Sequence, residues 1–268
     1  MTASEMRNNA RGSQELVNWK GLFRGPDARK LFVDSCLSRN EDLYHMLQFH
    51  HALSIYDNKR LRLSRVRCWE DPYEKKWCKV LFQEVTRFQG IEAYALCWTT
   101  GYSDEPRWRM MGFNRPMPEP CWETLGFERP LPIVRIRCSV EAILQSCREH
   151  LETVSGTLFL GKVQYRNPGN LRGLARSVRA RKPVSSMAAT MLLQKRKTFG
   201  FEKEIRLLWL ENAAVSDEVY IPIEPNIIKQ VMCTPHVKPA ERAYMETEFA
   251  KRGVGLVPSK LLDEPAGW

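Results

Sequence analysis

The stretch KTFGFEKEIRLLWL, residues 197–210, carries Glu202, Glu204 and Arg206 at alternate positions and then a run of large apolar residues. Because side chains alternate between the two faces of a strand, a strand here would place all three charged groups on one face. Its apolar continuation favours a central strand, where ionised side chains need a specific reason. Two glutamates two residues apart lie about 7 Å from each other in a strand and repel unless a cation lies beside them. One interpretation is a solvated strand face that Arg206 neutralises. The other is a cleft in which a carboxylate stabilises positive charge on a substrate.

The segments around this stretch predict an α+β fold with a mixed, mostly antiparallel sheet flanked by helices. RLRLSRV at 60–66 alternates as a strand does, whereas the segment from 71 to 88 has helical spacing of its apolar residues. No GxGxxG follows a strand and no GxxxxGK[ST] occurs, which argues against a Rossmann domain and a P-loop NTPase. We predict one domain over 41–265, preceded by an N-terminal extension over 1–40 that is partly disordered or helical. Within the extension, 16–23 and 27–37 are expected to form short helices.

The composition is that of a globular protein with a real core, since 43% of the residues are hydrophobic. No apolar run is long enough for a transmembrane helix, and the N-terminus lacks the apolar stretch of a secretory signal. We therefore expect a cytoplasmic protein without a membrane partner. The eight cysteines contain no CxxC pair, which argues against a zinc site and against a disulfide scaffold. Reduced thiols and no bound metal are expected.

Positive charge is concentrated in one segment. Between Lys162 and Lys197 the chain has ten lysines and arginines and no acidic residue, which equals the whole net charge of +10. Such a segment can attract phosphates by releasing counterions. It predicts nucleic acid as a partner, with Arg176, Arg179 and Arg181 among the contacts. The alternative is a solvated loop that keeps the protein soluble.

Two further residues stand on early strands. His45 lies on the first strand of the predicted domain, either as a structural histidine or as a ligand contact. His50 and His51 follow it, but the three lack the i, i+4 spacing of a helical metal pair. Ser64 is either polar packing at the edge of the core or a hydrogen-bond donor to a ligand.

The remaining candidates also have two interpretations. Asp71 and Glu74 have the spacing of a capping box at a helix N-terminus, and the alternative is substrate binding. Trp98, Trp108 and Arg109 surround a predicted turn. They form either aromatic core or a surface on which a planar ring stacks.

The order of these segments resembles the bacterial domain-of-unknown-function family 2971 from about residue 43 to 262. The opening at 43–74 is similar to that family's YHYTS strand, short helix, serine-ending strand and NDPFE-like motif. The later segments are similar to its CFS and W-x-x-Y motifs, its next strand, its lysine–aromatic–E-x-E-x-R signature and its final strand; they lie at 94–112, 161–165, 195–208 and 255–259. The sequence departs from the pattern at 46–47, 69–70 and 112–113.

The layout of that family is similar to the ADP-ribosyltransferase superfamily, including its DNA-modifying toxins. The resemblance implies an ADP-ribosyltransferase-like core and NAD as a substrate. It places His45 at the adenosine ribose, Ser64 near the nicotinamide and Glu204 on the nicotinamide ribose, with Glu202 orienting the acceptor. Arg206 would pin a carboxylate or the diphosphate, and Trp98 would also contact the cofactor.

Three functions follow as hypotheses. The first is an enzyme that transfers ADP-ribose from NAD, with nucleic acid as a candidate acceptor and a toxin or phage-defence role. The second is a non-catalytic nucleic-acid-binding module that uses the basic segment 162–197. The third is a metal-dependent hydrolase or nuclease built on Asp71, Glu74, Glu202 and Glu204, which requires these carboxylates to converge.

Overall fold

A large, mostly antiparallel sheet organises the described part of the chain. The computed structural model describes residues 17–21, 30–69, 71–79, 81–82, 88–101, 133–149, 151, 156–167, 184–212 and 216–261. The strands are β1 (Trp19–Gly21), β2 (Leu31–Asp34), β3 (Asp42–Gln48), β4 (Arg60–Arg65), β5 (Glu92–Thr99), β6 (Ile133–Ser139), β7 (Thr157–Lys162), β8 (Gln164–Arg166), β9 (Gln194–Arg196), β10 (Glu204–Glu211), β11 (Glu218–Pro222), β12 (Gln230–Cys233) and β13 (Leu256–Val257). The helices are α1 (Phe49–Asn58), α2 (Pro72–Lys79), α3 (Val140–Glu149), α4 (Val184–Leu192) and α5 (Pro239–Ala250).

The strand order of the main sheet is β1-β2-β7-β10-β5-β3-β6-β12-β13, with β4 and β11 attached beside β5. Parallel pairing occurs in this sheet only between β2 and β7 and between β12 and β13, within the described residues. The side of β5 opposite β10 is shared, because β3 pairs at Thr99 and β4 pairs at Ala95. β8 and β9 form a separate two-stranded parallel sheet. The coarse prediction of an α+β fold with a mostly antiparallel sheet is confirmed.

Helices cover both faces of the sheet. One face of the sheet packs against α1, α3 and α5, whose buried residues include Phe49, Ile143 and Phe249. We call it the α1 face. The opposite face, which we call the α4 face, packs against α2 and α4 through residues that include Cys78 and Met187. Every residue of β10 is buried, since neighbours flank it on both sides and helices cover both faces. The prediction that the acidic segment leads into a central strand is therefore confirmed.

The sequence-based prediction of short helices before residue 40 is wrong where the structure describes these residues. β1 pairs with β2, and β2 pairs with β7. Leu31 and Val33 are buried on the α1 face, whereas Phe32 stacks on Phe159 of the other cluster at 5.1 Å between ring centroids. A short strand with apolar residues on both faces has no alternating pattern, so periodicity alone cannot distinguish it from a helix.

The opening stretch is also not one continuous strand. α4 ends at Leu192 and the chain forms β9, after which Lys197–Glu202 forms a 3-10 helix. Lys203 then adopts a left-handed conformation with φ of 44°, and β10 begins at Glu204. Glu202 is therefore outside the strand, and alternation does not align it with Glu204 and Arg206. No helix within the described residues is long and apolar enough to cross a membrane.

Candidate functional site: a buried ion cluster on the α4 face

Arg206 is the most deeply buried charge of the site. Its Nε donates to Glu204 Oε1 at 2.8 Å, and its Nη1 donates to the backbone oxygen of Leu192, at the end of α4, at 2.6 Å. Its Nη2 bonds Glu74 of α2 and also donates to Glu204 Oε2 at 3.1 Å. The Trp69 ring lies under the guanidinium, 4.3 Å from its carbon to the ring centroid. Arg206 therefore ties β10 to α2 and α4, and its donors are directed at protein groups.

Lys195, on β9, brings three carboxylates together. Its Nζ donates to Glu202 Oε2 at 2.6 Å and to Glu204 Oε2 at 3.1 Å, and lies 3.6 Å from Glu74 Oε2. The lysine side chain is only 10% exposed. These carboxylates come from the 3-10 helix, from β10 and from α2, so the ammonium is the point at which three elements meet.

The core of the cluster carries more negative than positive charge. Glu74, Glu202 and Glu204 face Lys195 and Arg206, which leaves one negative charge in excess when all five are ionised. Burial tends to raise the pKa of Glu204, but Arg206 and Lys195 outweigh burial and lower this pKa to about 2. Burial raises the pKa of Glu202 above its ordinary value even though Lys195 opposes that shift. The two glutamates thus share a cation and differ in acidity.

The two glutamates also differ in access to solvent. The Glu202 side chain is 22% exposed, whereas that of Glu204 is 7% exposed. The backbone of Glu202 is held in place by β5, because the Thr99 hydroxyl donates to the Glu202 carbonyl oxygen at 2.7 Å. Tyr165 Oη accepts the backbone N–H of Glu204 at 2.8 Å, which fixes the first residue of β10. Glu202 therefore lies at the entrance of the cluster and Glu204 at its base.

A second ion pair with aromatic neighbours lies beside the cluster. Arg196 Nη2 is 3.4 Å from Asp71 Oδ2, and its guanidinium carbon lies 4.7 Å from the Tyr73 ring centroid and 4.8 Å from that of Phe199. The Phe199 ring also lies 5.1 Å from the Lys195 ammonium. The aromatic rings shield both cations on one side.

Asp71 caps α2 as predicted, whereas Glu74 also has a use that the predicted cap does not include. Asp71 Oδ1 accepts the backbone N–H of Tyr73 at 2.8 Å, as a capping residue does. Glu74 instead directs its two oxygens at Arg206 and Lys195. Sequence spacing could not reveal this second use, because both cations lie more than a hundred residues further along the chain.

The expectation that His45 and Glu204 line one pocket is corrected by the strand register. Tyr44, Thr99 and Glu204 are aligned across β3, β5 and β10, so they share the α4 face. His45 is in the next row and points to the α1 face, with its Nδ1 2.8 Å from the backbone oxygen of Cys97. β5 also separates the histidine strand from the glutamate strand.

Two other predicted ligand contacts lie away from the cluster. Trp98 is buried in the core of the α1 face, 5.3 Å from the His45 ring between centroids, and is not a stacking surface. Ser64 is aligned with Ala95, four residues along β5 from the position opposite Glu204. That separation is about 13 Å along a strand. Trp108, Arg109, Arg176, Arg179 and Arg181 lie outside the described residues.

The sequence assigns no chemical role to some residues of the cluster. Lys195 is one of ten cations in the basic segment, and Trp69 and Tyr165 enter only through the family resemblance, at 69–70 and 161–165. The segment 195–208, which resembles the lysine–aromatic–E-x-E-x-R signature, begins at Lys195, and that resemblance is the sequence signal nearest to this residue. Tyr165 and Trp69 carry no pattern, since only the packing of β8 and of the residues before α2 brings them to the site.

Three of the four carboxylates required by the hydrolase hypothesis converge, but on a protein cation. Glu74, Glu202 and Glu204 all approach the Lys195 ammonium, which takes the position that a divalent cation would need. Asp71 is engaged by Arg196. No group of three or more His, Cys, Asp or Glu side chains suited to a metal ion occurs within the described ranges.

No protein-family model matches this chain, and no curated protein matches it. The resemblance to the domain-of-unknown-function family 2971 therefore stays a prediction that depends on short motifs.

Proposed function

We propose that this protein is an NAD-dependent, ADP-ribosyltransferase-like enzyme with its reacting groups at Glu202 and Glu204. The observation that carries the proposal is the pair of unequal carboxylates around Lys195. Environments that separate the pKa values of two neighbouring carboxylates are typical of acid–base pairs, and glycosidic chemistry uses such pairs. An ADP-ribosyltransferase-like core belongs to the same proposal.

The proposed reaction transfers the ADP-ribosyl group from nicotinamide to an acceptor. The bond from the ribose carbon to the nicotinamide nitrogen breaks, nicotinamide leaves with the bonding electrons, and the ribose carbon gains oxocarbenium character. The acceptor then bonds that carbon and loses its proton to Glu202. Glu204 stays ionised, and its charge stabilises the positive centre as this develops, which is the interaction that accelerates a reaction.

The charge balance of the cluster supports a substrate with a positively charged reacting group. One excess negative charge in a largely buried cluster attracts a cation more strongly than it would in bulk water. The ribosyl–nicotinamide end of NAD carries such a charge. Glu202, as the more exposed glutamate, is the group that the substrate meets first.

The test is turnover of NAD labelled in its nicotinamide ring, measured as released nicotinamide with and without single-stranded DNA or RNA. Glu202→Gln removes the proton acceptor, so the rate should fall on the order of 10²–10⁴. Glu204→Gln should lower it on the order of 10²–10³. Glu224→Gln is the matched control, because Glu224 is exposed and lies 3.8 Å from Lys59. An inactive wild type, or equal rates for Glu202→Gln and Glu224→Gln, would refute the proposal.

A nucleic-acid-binding module without catalysis is the second candidate. Lys162, Lys197 and Lys203 are exposed and have no carboxylate partner within the described part of the chain. Exposed lysines in a protein of net charge +10 favour binding to phosphates. This function predicts salt-dependent binding that survives Glu202→Gln and weakens when Arg176, Arg179 and Arg181 become alanine. Binding of this kind without any NAD turnover would favour the second candidate over the first.

A further inference from the structure

Among the residues that the structure describes, Lys195 is the cation that contacts both proposed reacting groups. Its ammonium bonds Glu202 and Glu204 at 2.6 and 3.1 Å, and these two oxygens therefore lie within about 6 Å of each other. Like charges at that separation repel strongly where water is excluded. Arg206 bonds Glu204 and Glu74 but makes no hydrogen bond to Glu202 within the described residues. Of the cations in the described ranges, Lys195 is therefore the one that compensates the charge of Glu202.

The backbone around Lys195 is held on both sides. Before it, Gln194 accepts from Arg166 Nε at 2.6 Å and donates to the backbone oxygen of Thr190 at 2.9 Å. After it, Arg196 pairs with Asp71. β9 also pairs with β8 in register. The ammonium is thus placed by a fixed segment, which a positioning role requires.

We infer that Lys195 is a positioning residue that holds the Glu202 carboxylate beside that of Glu204 and favours its ionised form. The inference deepens the proposed function and depends on it for the link to catalysis. The proton occupancy of Glu202 itself depends only on the cluster.

The groups that face Glu202 come from four elements. They are Lys195 of β9, Glu204 of β10, Glu74 of α2 and Tyr165 of β8, with Arg206 behind them. The other carboxylates repel a charge on Glu202, and burial of Tyr165 raises the pKa of its phenol to about 12, which keeps it neutral. Loss of the ammonium would leave burial and two carboxylates, all of which favour protonated Glu202.

The experiment follows the Glu202 carboxyl carbon by NMR in protein labelled with ¹³C at the glutamate side chains, assigned with Glu202→Gln. In Lys195→Gln the pKa of Glu202 should rise by at least about one unit. Lys195→Arg retains the charge and should restore part of the wild-type value. Lys197→Gln removes an exposed charge outside the cluster and should leave Glu202 unchanged. An unchanged Glu202 titration in Lys195→Gln overturns the inference.

A second measurement needs no Lys195 variant and decides the matter if Lys195→Gln does not fold. The Nζ resonance of Lys195, recognised as a slowly exchanging buried ammonium, should shift with pH as Glu202 titrates in the wild type. That step should vanish in Glu202→Gln. Persistence of the step in Glu202→Gln, or its absence from the wild type, contradicts the inference.

Activity separates this inference from the proposed function. If the wild type turns over NAD, the acidic limb of kcat should move to higher pH in Lys195→Gln, and Lys195→Arg should move it back. A pH profile that does not move in Lys195→Gln refutes the positioning role while leaving the proposed function intact. If the wild type does not turn over NAD, the proposed function fails and the two NMR measurements alone decide the role of Lys195.

Discussion

Glu204 and Glu202 should make unequal contributions to stability, although only one residue separates them. The fold lowers the pKa of Glu204 from 4.5 to about 2, whereas it raises the pKa of Glu202. A carboxylate with a lowered pKa stabilises the folded state when it is ionised. Lowering the pKa by about 2.5 units corresponds to about 3 kcal/mol at neutral pH. Glu204→Gln should lose about that amount of unfolding free energy.

Glu202→Gln is the matched control, because it removes the same charge from the same cluster. Its ionised form is disfavoured by burial, so removing the charge offsets the lost bond to Lys195. The unfolding free energy should therefore change by less than about 1 kcal/mol.

The difference in unfolding free energy between wild type and Glu204→Gln should depend on pH, because the fold lowers the pKa of Glu204. Its stabilising contribution is complete above the unfolded pKa of 4.5 and disappears as pH falls through the folded pKa of about 2. The gap between wild type and Glu204→Gln should therefore be largest at pH 7 and fall to about half near pH 3. Urea unfolding at a series of pH values, down to the lowest at which both proteins fold, measures it. Equal losses in the two variants, or a gap that widens at low pH, would refute the reasoning.

Two further predictions concern packing and thiol chemistry. A methyl group at Gly161 would overlap Leu193 Cδ1, so Gly161→Ala should lose about 1–3 kcal/mol by overpacking. Gly255→Ala meets nothing within 4 Å and serves as the control; equal melting temperatures would contradict the packing argument. Burial raises the pKa of the Cys97 thiol, so alkylation at pH 8 should modify exposed Cys36 well before Cys97. Peptide mapping after timed alkylation measures this, and equal rates would show that Cys97 is accessible and ionised.

A buried ion cluster is expected to add little to the stability of the fold. Its presence therefore favours a functional role. Burying charges costs free energy, and a well-packed apolar replacement for a buried ion network is often as stable. Here three carboxylates share two cations, so the network as a whole keeps one negative charge in excess although Glu202 is bonded to Lys195. Stability alone does not account for that imbalance, which favours a functional role for the cluster.

Most strands and helices were predictable, because their patterns repeat over a few residues. Leu61 and Leu63 alternate with polar neighbours and are buried in β4, and the Asp71 cap marks the start of α2. Failures occurred where local patterns are weak. β2 is apolar on both faces. The 3-10 helix ends at Lys203, which adopts a left-handed conformation although no glycine at this position signals one in the sequence.

The sequence by itself determined that Glu204 and Arg206 share a face of a buried strand, because alternation is a property of two successive residues in any strand. Only the tertiary structure decided what this pair meets. Arg206 bonds Glu74 from 132 residues away, and Lys195 reaches Glu202 and Glu204 because β9 leaves α4 to pair with β8. His45 faces away because of the register between β3 and β5. Strand alternation and helix caps depend on local backbone geometry, whereas the partners of a buried charge depend on how distant elements pack.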